Sequence, residues 1–134
     1  MAKTVRILIA DDCELLLDEL AAQIGEEFEV VGKAHDGAEL VAIAKDLEPD
    51  VVVTDIRMPG IDGIEATRRL MLSRPTSCIV LLSMHSDLSL VQKGLEAGAC
   101  GYVLKIFAGD DLDTAIRAAL DRRIFISPAI FANS

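Results

Sequence analysis

Five polar residues in this 134-residue chain stand where short apolar runs stop. The run 5–10 leads into Asp11 and Asp12, 51–54 into Asp55, 78–82 into Ser83, and 101–104 into Lys105. If these runs are parallel strands, their carboxyl ends share one edge of a sheet, which is where open α/β sheets bind ligands. Three carboxylates held together repel one another and call for a cation. Mg²⁺ suits them, being a hard ion that takes one or two carboxylates, waters and a phosphate oxygen. Asp55 is then available as a nucleophile, the role carboxylates play in aspartyl-phosphate chemistry. The ion and Lys105 would offset the charge of an incoming phosphoryl group, and Ser83 would donate a hydrogen bond to one of its oxygens.

Each residue taken singly has a plainer use. Asp12 is placed to cap the helix that follows, a duty compatible with binding metal. Asp62 reads as a helix cap only. Ser83 alone could be a turn residue and Lys105 a surface lysine. The chemical reading rests on all five falling at strand ends.

The elements that must carry them alternate along the chain. Strands are expected over 5–10, 28–34, 51–54, 78–82 and 101–104. Between them run helices with apolar residues at helical spacing: Leu17, Leu20, Ala21 and Ile24; then Leu40, Ile43, Ala44 and Leu47 after Asp36-Gly37; then a helix that runs out before Pro75. A fourth helix covers 87–97 and is closed by Gly98. The last covers 111 to about 123, with Leu112, Ala115, Ile116, Ala119 and Leu120 facing inward. Four of the strands are continuous apolar runs, as expected where both faces of a parallel sheet are covered. The pattern predicts an α/β fold of five βα units with right-handed crossovers. The segment 123–134 leaves the alternation and reads as a C-terminal extension or the start of a linker.

Composition fits and narrows the function. Apolar residues make up 51% of the chain and aromatics only 4%, so the core is built from aliphatic side chains. A net charge of −9 repels phosphate backbones and argues against direct nucleic-acid binding. No run approaches the ~20 apolar residues of a membrane span, and the amino terminus lacks a secretory core, so a cytoplasmic location is expected. Cys13, Cys78 and Cys100 form no C-x-x-C pair and are read as reduced.

With these residues placed, residues 4–122 resemble a response-regulator receiver domain. Ile9-Ala10-Asp11-Asp12 is similar to that family's acidic pair. Thr54 to Gly63, reading TDIRMPGIDG, is similar to its phosphoacceptor loop, Leu81-Leu82-Ser83 to its switch hydroxyl, and Ala97 to Lys105 to its lysine motif with a preceding aromatic. The resemblance implies a flavodoxin-like, doubly wound (βα)₅ fold with strand order 2-1-3-4-5. It implies Asp55 as phosphoacceptor, with Asp11, Asp12, the Asp55 carboxylate and the Arg57 carbonyl as Mg²⁺ ligands. Ser83 and Lys105 would bind the phosphoryl group, with Ser83 and Tyr102 as the switch pair and Tyr102 swinging inward on phosphorylation. Arg57 and His85 would tune how easily water reaches the phosphoryl group, and Leu90 would offer an exposed contact on the fourth helix. The implied partners are a sensor histidine kinase and, as an option, a second copy of the chain. Ile106 after Lys105, where many receivers have proline, leaves the isomer of that peptide open.

The stretch 102–105 and the tail Ile124-Phe125-Ile126-Ser127-Pro128 resemble receivers of the NarL/LuxR type. Those regulators carry a helix-turn-helix DNA-binding domain after the receiver. The chain is accordingly expected to be either a receiver excised from such a regulator or a stand-alone one. Rival readings fare worse. No Gly-x-Gly-x-x-Gly or Gly-x-x-x-x-Gly-Lys follows the first strand, as nucleotide-binding folds require. A phosphohydrolase with an aspartate nucleophile typically has a second aspartate where Arg57 stands. A degenerate receiver acting as a constitutive binding module would not need the intact set of Asp11, Asp12, Asp55, Ser83 and Lys105.

Overall fold

The computed structural model describes residues 4–25, 27–73 and 77–132. Strands β1 (Arg6–Ala10), β2 (Glu29–Ala34), β3 (Val51–Asp55), β4 (Cys78–Ser83), β5 (Gly101–Leu104) and β6 (Phe125–Ile126) form one all-parallel sheet in the order 2-1-3-4-5-6. Helices α1 (Glu14–Ile24), α2 (Gly37–Leu47), α3 (Gly63–Ser73), α4 (Leu88–Ala97) and α5 (Ala108–Leu120) connect them, and α6 (Ala129–Ala132) closes the described chain. The expected order 2-1-3-4-5 is present, with one strand added from the tail.

Side-chain alternation divides the core into two layers. Leu8, Ala10, Val52, Leu81 and Tyr102 lie in the layer with Leu40, Leu70 and Val91 of α2, α3 and α4. Ile7, Ile9, Val53, Val80, Leu82 and Val103 lie in the layer with Leu17 of α1 and Leu112 and Ile116 of α5. Both faces of the sheet are therefore covered, which is why its strands read as unbroken apolar runs.

Local chemistry sets the helix ends. The Asp36 carboxylate accepts the Glu39 N–H at 2.8 Å, Asp62 accepts the Glu65 N–H at 2.8 Å, and Asp87 accepts the Ser89 N–H at 2.8 Å. Gly98 closes α4 at φ 113°, a conformation that costs glycine nothing. The expected role of Asp12 as a cap is corrected: α1 begins at Glu14 after Cys13, which makes no side-chain cap, and Asp11 accepts the Cys13 N–H at 3.0 Å. Pro75 lies outside the described residues, so it is not seen as a stop for α3.

Two further expectations change, and the tail takes a definite place. Helix α5 spans 108–120 rather than starting at 111, because Lys105–Phe107 forms a 3₁₀ turn that runs directly into it and puts Asp110 and Asp111 in its first turn, where the helix dipole favours them. Leu120, in its last turn, is 37% exposed instead of inward. The tail is folded on the domain: β6 pairs with β5, and Ile130 is buried in the α2–α4 layer.

Candidate phosphorylation site

Strand register gathers the polar residues. Ala10 pairs with Thr54, so Asp11 follows β1 beside Asp55 at the end of β3. Asp55 pairs with Leu82, and Ser83 pairs with Leu104, which puts Ser83 and Lys105 along the same edge. Strand order reverses at β1 and β3, the switch point where loops diverge and leave a crevice. The Asp11 N–H donates to the Ala34 carbonyl and the Ile56 N–H to the Leu82 carbonyl, each at 3.0 Å, so both acidic residues leave the sheet on anchored backbone.

The loop after Asp55 is held close by glycine. The Gly63 N–H donates to the Ile56 carbonyl at 2.8 Å, and a Cβ at Gly63 would collide with the Asp55 carbonyl oxygen. A side chain at this position would push α3 away from the site.

Carboxylate oxygens of Asp11, Asp12 and Asp55 lie within 4.8 Å of one another. Asp11 is fully buried, Asp55 is 6% exposed, and Asp12 is open to solvent. The Lys105 Nζ donates to Asp11 Oδ2 at 2.9 Å and to Asp55 Oδ2 at 3.0 Å. One ammonium thus faces a cluster of three carboxylates. Burial pushes the Asp55 carboxyl above its ordinary range, and the hydrogen bond from Lys105 pulls against this without reversing it. For Lys105, burial works against the charge, but the hydrogen bonds to Asp11 and Asp55 outweigh it and hold the ammonium above its ordinary range. The set is anionic, made of hard oxygen donors and open on the Asp12 side, so these residues fit a Mg²⁺ ion.

The remaining expected site residues surround this cluster. Ser83 Oγ accepts the His85 N–H at 3.0 Å. The Tyr102 hydroxyl donates to the His85 carbonyl at 3.1 Å. Burial raises the Tyr102 phenol, and the neighbouring Ser83 hydroxyl opposes that in part. The Arg57 N–H points to Asp55 Oδ1 at 3.4 Å, while the Arg57 and His85 side chains are exposed. Two expectations are corrected. Tyr102 is already inward, 1% exposed, so no inward swing is left to it. Leu90 is half-buried against the core, and Leu88, 45% exposed, is the open apolar side chain of α4. Among the described residues there is no cis peptide, so Lys105–Ile106 is trans.

A contributor that residue type did not reveal is Ser127. It is fully buried, and its Oγ accepts the Leu104 N–H at 3.0 Å and donates to Asp111 Oδ2 at 2.8 Å. Nothing local in Ser127-Pro128 points to a partner on β5.

Comparison with known proteins agrees with this geometry. The sequence profile described as "Response regulator receiver domain" matches residues 7–117. The transcriptional regulatory protein LnrK of Bacillus subtilis (strain 168) is 35% identical over 130 residues, covering 96% of this chain and 59% of LnrK. The transcriptional regulatory protein PdtaR of Mycobacterium tuberculosis is 41% identical over 118 residues, covering 87% of this chain and 57% of PdtaR. The chain thus spans less than two thirds of these relatives. Among solved structures, a LuxR-family two-component response regulator from Aurantimonas sp. SI85-9A1 superposes with a TM-score of 0.92 at 34% identity, covering 97% of this chain and 94% of that one. The isolated receiver of RcsB from Salmonella enterica serovar Typhimurium, solved with the phosphomimetic BeF₃⁻, gives 0.87 at 27% identity, covering 97% and 98%. Fold, acidic cluster and paired lysine agree with the sequence match, and the chain belongs to the response-regulator receiver family, whose members are phosphorylation-based signalling switches, close to those of NarL, LuxR and RcsB regulators.

Proposed function

We propose that this domain accepts a phosphoryl group from the phosphohistidine of a sensor histidine kinase on Asp55. The observation that carries the reading is the Lys105 ammonium hydrogen-bonded to both Asp11 and Asp55 inside a cluster of three carboxylates. The Asp55 oxygen attacks phosphorus, the histidine nitrogen leaves, and an acyl phosphate is formed. Asp11, Asp12, the Asp55 carboxylate and the Arg57 carbonyl would hold Mg²⁺, which when bound offsets charge on the transferring group. Lys105 orients a phosphoryl oxygen and neutralises part of its charge. Ser83 exchanges its bond with the His85 N–H for one to the phosphoryl group. The domain catalyses only its own phosphorylation and dephosphorylation.

Phosphorylation adds ~1.5–2 negative charges beside Ser83 and Tyr102. Output would pass through the α4–β5 surface, by changed self-association or by contact with an effector domain. The likeness to LuxR-type and RcsB receivers supports transcription control through a DNA-binding helix-turn-helix domain, not through this acidic chain itself. Among the described residues no helix is long and apolar enough to cross a membrane.

Intact-mass analysis after treatment with acetyl phosphate and Mg²⁺ tests the acceptor. The wild type should gain one phosphoryl group and Asp55→Asn none. Equal labelling of both would overturn the assignment.

A further inference from the structure

We propose that Ser127, outside the matched receiver region, is a positioning residue for Lys105. The proposal rests on the function given to Lys105 above. It starts from an orphan donor. Strand β5 runs to Leu104, but β6 pairs only Phe125 with Gly101 and Ile126 with Tyr102. The Leu104 N–H therefore lies beyond the last strand pair, buried and needing an acceptor. Ser127 Oγ supplies one at 3.0 Å, while the Ser127 N–H donates to the Tyr102 carbonyl at 2.9 Å and extends the ladder by one bond.

The same hydroxyl gives its proton to Asp111 Oδ2 at 2.8 Å, in the first turn of α5. One buried side chain thus joins the last residue of β5 to the start of α5. Between those two points lie only the 3₁₀ turn Lys105–Phe107 and the residues 108–110. Within the turn, the Ala108 N–H donates to the Lys105 carbonyl. Lys105 leaves the strand at the residue after the Ser127 anchor and reaches back to Asp11 and Asp55. The neighbouring side chains give it little lateral support, since Ile106 is 74% exposed and Phe107 is 37% exposed. Ser127 fixes both ends of the segment on which the lysine stands.

A hydroxyl is suited to this place because it accepts from the strand and donates to the helix at once. Alanine would leave a buried N–H and a carboxylate without their partner, and the turn would relax. Threonine carries the same hydroxyl, which can make both bonds.

The test uses the whole chain. The Lys105 ammonium, 17% exposed and held by two carboxylates, should give a slowly exchanging ¹⁵N–¹H signal, assigned by its loss in Lys105→Arg. Ser127→Ala should abolish or shift that signal, and Ser127→Thr should restore it. Phosphorylation by acetyl phosphate should slow about tenfold in Ser127→Ala, against the roughly hundredfold that a 1 Å misplacement can cost. In a Lys105→Ala background the Ser127→Ala change should add no further loss, the non-additivity of residues acting through one another. Asp111→Ala cuts the helix end of the bridge and serves if Ser127→Ala does not fold. A wild-type ammonium signal and rate in Ser127→Ala or, where that variant does not fold, in Asp111→Ala would overturn the proposal, as would equal losses with and without Lys105. If the wild type takes no phosphoryl group while the signal still depends on Ser127, the function assigned to the site fails and the positioning role stands.

Discussion

The Tyr102 hydroxyl lies 3.1 Å from the His85 carbonyl, so the one tyrosine of the chain ties β5 to the loop between β4 and α4. That loop follows Ser83, the last residue of β4, whose Oγ accepts the His85 N–H. Both backbone polar groups of His85 are thus held by the residues expected to act as a switch pair. Tyr102→Phe should cost about 1 kcal/mol, the usual net worth of a hydrogen bond, in urea unfolding. It should also raise amide exchange over residues 84–87, with Asp55 still accepting phosphoryl. Unchanged exchange in that loop would mean the hydroxyl does not restrain it.

Asp12 makes no cap bond to α1, since Asp11 takes the Cys13 N–H. Its carboxylate is exposed and faces the acidic cluster. Asp12→Ala should therefore weaken Mg²⁺ binding and slow phosphorylation while leaving the fold intact. In EDTA the variant should melt no lower than the wild type, because a source of repulsion is removed. A fall of several degrees in EDTA would assign the residue a structural duty instead.

Burial raises the Asp55 carboxyl above its unfolded value. The folded state therefore binds this proton more tightly than the unfolded one. Stability from this group is fully present below the unfolded pKa and is lost as pH rises through the folded one. Asp55→Asn, which can still accept from Lys105, should be more stable than the metal-free wild type at neutral pH. The gap should close as pH falls to about 4 and below. Urea melts of both proteins across this range in EDTA check it. A less stable variant at neutral pH would show that pairing with Lys105 outweighs burial.

The Arg57 and His85 side chains are exposed at the rim, each two residues beyond Asp55 or Ser83, and among the described residues neither side chain hydrogen-bonds to the acidic cluster. Replacing either with alanine should alter the decay of phosphorylated Asp55 more than its formation. Pulse labelling followed by phosphoryl-loss kinetics distinguishes the two. Decay rates equal to the wild type in both variants would remove them as tuning residues.

The sequence by itself determined the alternating elements, the continuous apolar strands and the four strand ends that bear Asp11, Asp12, Asp55, Ser83 and Lys105. It could do so because burial on both faces leaves an unbroken apolar run, and the first polar residue after it marks the edge. The cap at Asp62 was equally legible, since its partner lies three residues away. Only the tertiary structure decided what depends on contacts distant in sequence. The Lys105 ammonium meets Asp11 across 94 residues and Asp55 across 50. Tyr102 is inward, and Leu90 rather than Leu88 is covered, because helix packing rather than residue type selects among the leucines of α4. The strand in the tail, β6, is only two residues long, too short for periodicity to announce it. Its place beside β5 follows from unpaired backbone at the edge of a sheet, a demand that exists only once the other five strands have assembled.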